Sequence, residues 1–238
     1  VGFLAKSRNT DSAWMGYQYE QNRHHLQLNG RFDRLSDLNS KNFLTGAINY
    51  VYDITPAWRV LAGYSNGFAA PSFNQLYYPP YCYGGYCFDS SNPNLKTEKA
   101  NYAQLGVQWA QAHYGARVTY FDTRYRDKIA NDANYIPQNI ARARAKGVEA
   151  HAWYGLNGWN VDAGVTYQEV RDRDTHALLI RQLRWTSNLS LGKTWRRWQG
   201  KIDWQTRSNM GDSPSYGGHA AGYGVLNAAV HYQLNKDM

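Results

Sequence analysis

Apolar and polar residues alternate along most of the chain. The apolar members of one such stretch are Ala103, Leu105, Val107 and Trp109. The same period of two returns between residues 161 and 167, 183 and 191, and 226 and 234. Successive side chains of a β-strand point to opposite faces, whereas a helix repeats every 3.6 residues or so, and the period therefore predicts strands. We expect an all-β fold.

The pattern predicts about eleven long strands, which follow one another as an antiparallel meander. They lie near residues 12–21, 24–34, 43–53, 58–68, 100–111, 114–126, 141–156, 159–170, 179–194, 198–210 and 222–235. Most are ten residues or longer, whereas strands of soluble sheets usually have about five or six. A tilted strand needs about nine to eleven residues to cross a bilayer. Strand length therefore favours part of a transmembrane β-barrel over a soluble β-sandwich.

The connections between these strands alternate in length. Short turns fall near residues 21–24, 53–58, 111–114, 156–159 and 193–198, and longer loops near residues 35–42, 69–99, 127–140, 171–178 and 211–221. In a meander this alternation places all short turns on one rim and all long loops on the other. Outer-membrane barrels have this layout, with their long loops outside. The sequence thus predicts a barrel of the bacterial outer membrane.

The composition agrees with strands between two solvents. Hydrophobic residues make up 43% of the 238 residues, yet the mean hydropathy is -0.68, because apolar positions are interleaved with polar ones. Tyr (20) and Trp (9) outnumber Phe (7), and both are enriched where apolar and aqueous media meet. Candidate interfacial aromatics are Trp58, Tyr114, Trp159, Trp195 and Trp198 near the short turns, and Tyr64 and Tyr167 nearer the loops. The alternative is that these aromatics are ordinary strand formers.

The net charge of +8 raises the question of nucleic-acid binding. Lys and Arg are scattered over many strands, however, and cluster only in residues 142–146 and at Arg196-Arg197. Such small clusters do not make a phosphate-tracking stripe, so we predict no nucleic-acid partner. No run of about 18 apolar residues predicts a transmembrane helix.

One short motif suggests catalysis. Gly63 to Gly67 reads G-x-S-x-G, the serine-hydrolase elbow, which requires a sharp strand-to-helix turn. Here the motif lies at a strand end, and we expect no helical segment after it. The adjacent His24 and His25 would point to opposite faces of a strand, which disfavours a shared metal. We therefore predict no catalytic site, no metal site and no cofactor.

The two cysteines, Cys82 and Cys87, lie five apart in a loop rich in Tyr, Gly and Pro. A short disulfide is the favoured interpretation, and it implies an oxidising compartment. A metal-binding pair is the alternative, although no His or acidic cluster lies close by.

Two segments together resemble a known family. Residues 63–78, GYSNGFAAPSFNQLYY, and residues 92–109, NPNLKTEKANYAQLGVQW, resemble the C-terminal barrel signature of TonB-dependent outer-membrane receptors. The matching positions are Phe68, Ala70, Pro71, Leu76, Tyr77, Asn92, Pro93, Leu95, Lys96 and Glu98. Thr97 departs from the pattern, because the family usually has Pro there. Residues 120–131 and 139–154 resemble the hairpins that follow, and the resemblance covers most of residues 43–235.

The resemblance implies part of a larger barrel. Such transporters have about 22 strands around a plugged lumen, so this chain would supply half of the wall. The family's plug domain, TonB box and final strands find no match in residues 1–238, and the start lacks Met and a signal peptide. We therefore expect a fragment, an open curved sheet whose edges need partner strands.

The resemblance also implies active transport of a scarce, large nutrient, driven by TonB. The sequence is most similar to the cobalamin transporters of the family; ferric-siderophore and haem receptors are alternatives, as is a passive porin-like barrel. Expected ligand contacts are Tyr77, Tyr78, Tyr81, Tyr83, Tyr86 and Phe88 in the large loop, with Arg142 and Arg144 at another loop–strand junction. These aromatics could instead only pack the loop.

Overall fold

The structure is a computed structural model that describes residues 7–38, 42–132, 136–212 and 218–234. Alternating residues form long strands, and the described part of the chain contains 15 strands and one α-helix. Their bounds are β1 Thr10–Gln21, β2 His24–Leu35, β3 Asn42–Asp53, β4 Trp58–Ala69, α1 Phe73–Tyr77, β5 Tyr81–Tyr83, β6 Tyr86–Phe88, β7 Glu98–Ala110, β8 Tyr114–Asn131, β9 Pro137–Leu156, β10 Trp159–Asp172, β11 Trp185–Trp195, β12 Trp198–Arg207, β13 Met210–Gly211, β14 His219–Ala220 and β15 Tyr223–Tyr232.

Eleven of the described strands form one antiparallel sheet, in the order β1-β2-β3-β4-β7-β8-β9-β10-β11-β12-β15. Each long strand pairs with its neighbours in sequence, which confirms the predicted meander. The five predicted short turns lie at one end of the sheet and the longer connections at the other. Residues in the short turns adopt positive φ at Asn22 (55°), Asn157 (53°) and Arg196 (53°), the left-handed conformation that reverses a chain tightly.

The strand register sorts the side chains onto two faces, since directly opposite residues share a face. One face, here called the apolar face, carries rows such as Ala152, Ala163, Leu189, Trp204 and Leu226. The other, the polar face, carries rows such as Gln18, Gln27, Asn49, Gly63 and Gln104. The alternation in the sequence therefore becomes two surfaces of opposite character.

The apolar face has no protein core against it in the described part of the chain. Leu105 and Leu226 on this face are 63% and 67% exposed. The buried apolar residues lie instead on the polar face or in the large connection: Leu35, Phe43, Leu76, Leu95, Phe121, Ala143, Ala145 and Val170. A sheet that leaves its apolar face exposed is suited to an apolar surrounding medium.

Aromatic rings line the apolar face near the short turns. Trp58, Trp109, Tyr114 and Tyr154 follow one another with centroid separations of 6.5, 5.5 and 6.3 Å. At the far edge Trp198 lies 4.5 Å from Tyr232. This arrangement agrees with the predicted interfacial girdle.

Several predicted boundaries are wrong near the long loops. β8 and β9 run to Asn131 and from Pro137, so the predicted loop 127–140 shrinks to residues 132–136. The pairing of β8 with β9 is interrupted at Asp127 (φ 52°) and resumes in the same register at Lys128 and Ile140. Residues 179–184, predicted as strand, belong to a loop, and β11 begins at Trp185. The helix α1 and the small hairpin β5–β6 were not predicted.

No helix among the described residues has the length and apolar character needed to cross a membrane.

Candidate functional site

The large connection between β4 and β7 begins with a short helix. Its N-cap is Ser72, whose Oγ accepts from the backbone N–H of Gln75 at 3.2 Å, while the Gln75 side chain accepts from the Ser72 N–H at 2.9 Å. This capping box satisfies backbone donors at the start of α1. The preceding Pro71 and the helical Leu76 are buried. The helix is therefore anchored to the sheet, with Tyr77 half-buried and Tyr78 exposed at its end.

The tip of the connection is a disulfide-closed hairpin. Cys82 and Cys87 are directly opposite in the β5–β6 pair and are joined by a disulfide, with their Cα atoms 4.0 Å apart. The two turn residues, Gly84 (φ 58°) and Gly85 (φ 84°), occupy the left-handed region that a two-residue hairpin turn requires. The predicted disulfide is confirmed, and a metal-binding pair of cysteines is therefore excluded.

One face of this hairpin is aromatic. Tyr83 and Tyr86 are opposite each other, and Phe88 lies two residues further along the same face, away from the cysteines. Their exposed fractions are 75%, 74% and 63%. Tyr81 belongs to β5, but its side chain lies outside the part of the chain that the structure describes. We call Tyr83, Tyr86 and Phe88 the aromatic hairpin face; rigid exposed aromatics of this kind give a large contact area at low entropic cost.

The return segment of the connection is bonded to β9 through one asparagine. The Asn139 side chain accepts from the Lys96 N–H at 2.7 Å and donates to the Lys96 carbonyl at 3.0 Å. Its amide also donates to the carbonyl of Asp127 in β8 at 2.6 Å. The Asn139 side chain thus makes the two backbone hydrogen bonds to Lys96 that a neighbouring strand would otherwise make. It also connects the loop to both β8 and β9.

Further contacts fix the rest of the connection. Asn92 donates to the Pro137 carbonyl at 3.0 Å, and its own N–H donates to the Gln75 carbonyl at 2.7 Å. Ahead of β1, Arg8 donates to the Pro71 carbonyl at 2.9 Å and lies over the Phe73 ring at 5.2 Å. The Asn92 side chain and Arg8 thus join the connection to the long-loop end of the sheet, and the Asn92 N–H joins its return segment to α1.

Several motif residues from the sequence therefore have a structural role. Asn92 and Lys96 take part in the hydrogen bonds just described, and Leu95 is buried. Glu98 accepts from the Ile129 N–H at 2.6 Å. Thr97, at the position where the motif departs, is also buried. The motif sets the shape of the connection, while the aromatic hairpin face lies outside the motif.

Arg142 and Arg144 lie in the sheet, not in the large connection that carries the tyrosines. Both lie within β9, which starts earlier than predicted, and the register puts them on the same face as Val148, the apolar face. Arg144 donates to both carboxylate oxygens of Asp122, from Nε at 3.0 and 3.1 Å. Arg142 donates to Asp174 at 2.6 Å. The two arginines are therefore bonded to carboxylates of β8 and of the turn after β10.

The turn after β10 holds the partner of Arg142. The Asp172 carboxylate accepts from the backbone N–H groups of Thr175 at 2.9 Å and Asp174 at 2.8 Å. These two hydrogen bonds hold the pKa of the Asp172 carboxyl below its usual value, and the bond from Thr175 has the larger effect. The turn thereby fixes Asp174 beside Arg142.

The residues that suggested chemistry are built into the sheet. Ser65 lies inside β4 and pairs with both neighbouring strands, so G-x-S-x-G forms no elbow. The expectation that no helix follows is wrong, because α1 begins at Phe73, but this helix is separated from the motif. His24 Nδ1 lies 2.6 Å from the Tyr50 hydroxyl, and His25 Nε2 lies 2.9 Å from Asp53. The described residues contain no group of three or more His, Cys, Asp or Glu placed to hold a metal.

Comparison with known proteins identifies the family. The profile of the family described as TonB dependent receptor-like, beta-barrel, matches residues 3–238. The chain belongs to this family. The sheet is therefore part of a TonB-dependent receptor barrel, its polar face lining the lumen and its apolar face directed outward.

The names of similar proteins mention different substrates. The chain is 24% identical over 195 residues to the vitamin B12 transporter BtuB of Photobacterium profundum, covering 79% of this chain and 31% of that protein. It is 25% identical over 193 residues to the ferric enterobactin receptor of Pseudomonas aeruginosa, covering 69% of this chain and 24% of that protein. The chain thus spans about a third or less of these relatives.

Solved structures share the barrel fold. A ferric enterobactin receptor (PfeA) from Pseudomonas aeruginosa superposes with a TM-score of 0.77 at 19% identity, covering 96% of this chain and 38% of that one. The copper transporter OprC superposes with a TM-score of 0.73 at 18% identity, covering 96% and 40%. These likenesses concern the fold alone.

Sequence reasoning missed the residues that anchor the receptor's large connection. Asn139 and Asn92 lie in segments that match the family signature, and that match was the available signal. Arg8 lies outside those segments, and nothing in the sequence pairs it with Pro71. Side-chain bonds to backbone groups more than 40 residues away have no local pattern.

Proposed function

We propose that this chain forms barrel wall and external mouth of a transporter in the bacterial outer membrane, which takes up a scarce, large nutrient with energy delivered by TonB. The observation that carries the proposal is the aromatic hairpin face, exposed and closed by a disulfide, at the long-loop rim of a sheet with an apolar outer face. Outer-membrane barrels carry their long loops outside the cell. The aromatic face would then meet the nutrient first.

The contacts of the large connection favour this function over a passive pore. A porin-like barrel would fold such a loop into its lumen as a constriction. Here the described bonds of the connection lead to Arg8, Asn139 and Pro137, all at the long-loop end. The loop therefore extends the mouth of the barrel. The polar lumen below it would then be filled by a plug domain, which is the part that TonB would pull.

For the substrate we propose cobalamin, with a ferric siderophore as the alternative. The resemblance of residues 73–79 and 92–96 to cobalamin transporters supports the first. The similarity to a ferric enterobactin receptor supports the second. Both ligand classes present broad, partly apolar surfaces that Tyr and Phe can cover.

The test is equilibrium binding to the full-length protein. We expect cyanocobalamin to bind more tightly than ferric enterobactin, and Y83S/Y86S to weaken binding about 10- to 100-fold, as for the loss of two central aromatics. The matched control is Ile180→Ser, an apolar residue 50% exposed in another long loop, which should leave binding unchanged. Equal binding by Y83S/Y86S and the parent protein would show that the hairpin does not contact the nutrient. Tighter binding of ferric enterobactin than of cyanocobalamin would favour a ferric siderophore as the substrate.

A further inference from the structure

On β8 to β10, the outward face of the barrel becomes basic above its outermost apolar row. The row Leu105, Tyr120, Val148, Tyr167 and Trp185 is the last apolar one towards the long loops. The next rows place seven basic and two acidic side chains on the same face of β7 to β10. We call this set the basic belt: Lys99, Asp122, Arg124, Arg126, Arg142, Arg144, Lys146, Glu169 and Arg171.

Like charges lie directly opposite each other in the belt. Arg124 and Arg171 are both register partners of Arg144, and Arg126 is the partner of Arg142. Opposed residues in a sheet have Cβ atoms about 5 Å apart, and like charges at that spacing destabilise the pair. A sheet that keeps three such pairs therefore gains from an anion between the guanidinium groups.

Asp122 and Glu169 within the belt, together with Asp174 beside Arg142, neutralise only part of this charge. Asp122 is bonded to Arg144 and lies 3.6 Å from Arg124, and Glu169 lies 3.1 Å from Arg171. In the described part of the chain Lys99, Arg126 and Lys146 take part in no ion pair and are exposed. The Arg144 side chain is 39% exposed and that of Asp122 only 13%. The two acids of the belt are thus more buried than the arginines that they bond and orient, and those arginines remain open to the outside.

The height of the belt matches the edge of the hydrocarbon. Along β9, Val148 is eight residues from Leu156 at the short turn, and Arg144 is twelve. At about 3.3 Å per residue and a tilt of about 40°, these are about 20 Å and 30 Å along the membrane normal. The apolar band of such barrels is about 25 Å tall. The belt therefore lies where the headgroups of the outer leaflet begin.

We propose that the basic belt binds the phosphate groups of anionic lipid in the outer leaflet. This inference rests on the membrane orientation in the proposed function, but not on the nutrient. Arginine forks suit phosphate oxygens, which accept two parallel hydrogen bonds from one guanidinium. A protein partner is disfavoured, because the belt faces outward directly above a row that the bilayer covers.

The test measures lipid affinity by native mass spectrometry of the full-length protein in detergent. The probes are a bis-phosphorylated lipid A and the same lipid after removal of its phosphates. We expect the phosphorylated lipid to bind at least about tenfold more tightly, and R126Q/K146Q to lose about 30-fold for two cations at a headgroup surface. These two side chains have no ion pair to break, so the barrel should still fold.

The matched control is K201Q/R207Q, which removes the same charge from the polar, lumen-facing side of β12. It should retain the parent's affinity, and inorganic phosphate at the lipid's concentration should displace nothing. Equal affinity for the two lipids, equal loss in both double variants, or displacement by inorganic phosphate would each overturn the proposal. If R126Q/K146Q fails to fold, the comparison of the two lipids on the parent protein decides. Because no nutrient is present, failure here leaves the transport proposal standing.

Discussion

Replacing Asn139 by Ala should release the large connection from the barrel. The side chain makes three hydrogen bonds, two to Lys96 and one to the Asp127 carbonyl, at 2.7, 3.0 and 2.6 Å. A hydrogen bond contributes about 1 kcal/mol net, so the local opening free energy should fall by about 3 kcal/mol. That loss corresponds to about 100-fold faster hydrogen exchange of the Lys96 amide, provided that it exchanges by local opening.

The assay is amide hydrogen exchange on the full-length protein in lipid, with peptides that cover residues 90–99. The matched control is Asn94→Ala in the same segment; Asn94 is exposed, and only its backbone N–H is hydrogen-bonded in the described contacts. Exchange in Asn94→Ala should equal that of the parent protein. If Asn139→Ala changed exchange at Lys96 by less than threefold, Asn139 would not be what holds the loop.

Three further expectations concern the barrel and its hairpin. Gly106→Val should destabilise the folded barrel by about 1–3 kcal/mol, because a Cβ at Gly106 would lie 2.9 Å from a backbone oxygen. The control is Gly67→Val, where a Cβ would have no atom within 4 Å, and this variant should fold normally in a gel-shift assay. Leu189→Arg on the apolar face should cost about 2–4 kcal/mol in urea unfolding from vesicles, and Ser190→Arg on the lumen face should cost much less; similar losses would contradict the assignment of the faces. Reduction of the hairpin disulfide should weaken nutrient binding by about three- to tenfold, since the aromatic face loses preorganisation, and unchanged affinity would separate the disulfide from capture.

Most of the sheet was predictable because each strand separates two different solvents. Lipid on one side and water on the other impose a period of two, and residues such as Leu105 and Gln104 carry it without help from distant contacts. The prediction failed where that constraint ends. Beyond the bilayer both faces meet water, so the sequence around Asp127 reads as loop although β8 continues past it to Asn131 in an unchanged register.

The candidate site was predictable only in part. Cys82 and Cys87 are close in sequence, and their pairing followed from local spacing. The helix α1 is only five residues long, too short for a periodic signal, yet Ser72 and Gln75 form a readable capping box. Arg142 and Arg144 already lay inside the predicted strand 141–156, where alternation places them on the face of Val148. Their acidic partners were not predictable in the same way, because Asp122 and Asp174 come from other segments of the chain.

The central claim is energised uptake through a mouth that carries the aromatic hairpin face. The most direct measurement is uptake of radiolabelled cyanocobalamin by cells that produce the full-length protein, with and without a functional TonB. We predict surface binding in both strains and accumulation only with TonB, with Y83S/Y86S lowering both. Equal accumulation in the two strains would contradict the claim, because a passive pore needs no energy from the inner membrane.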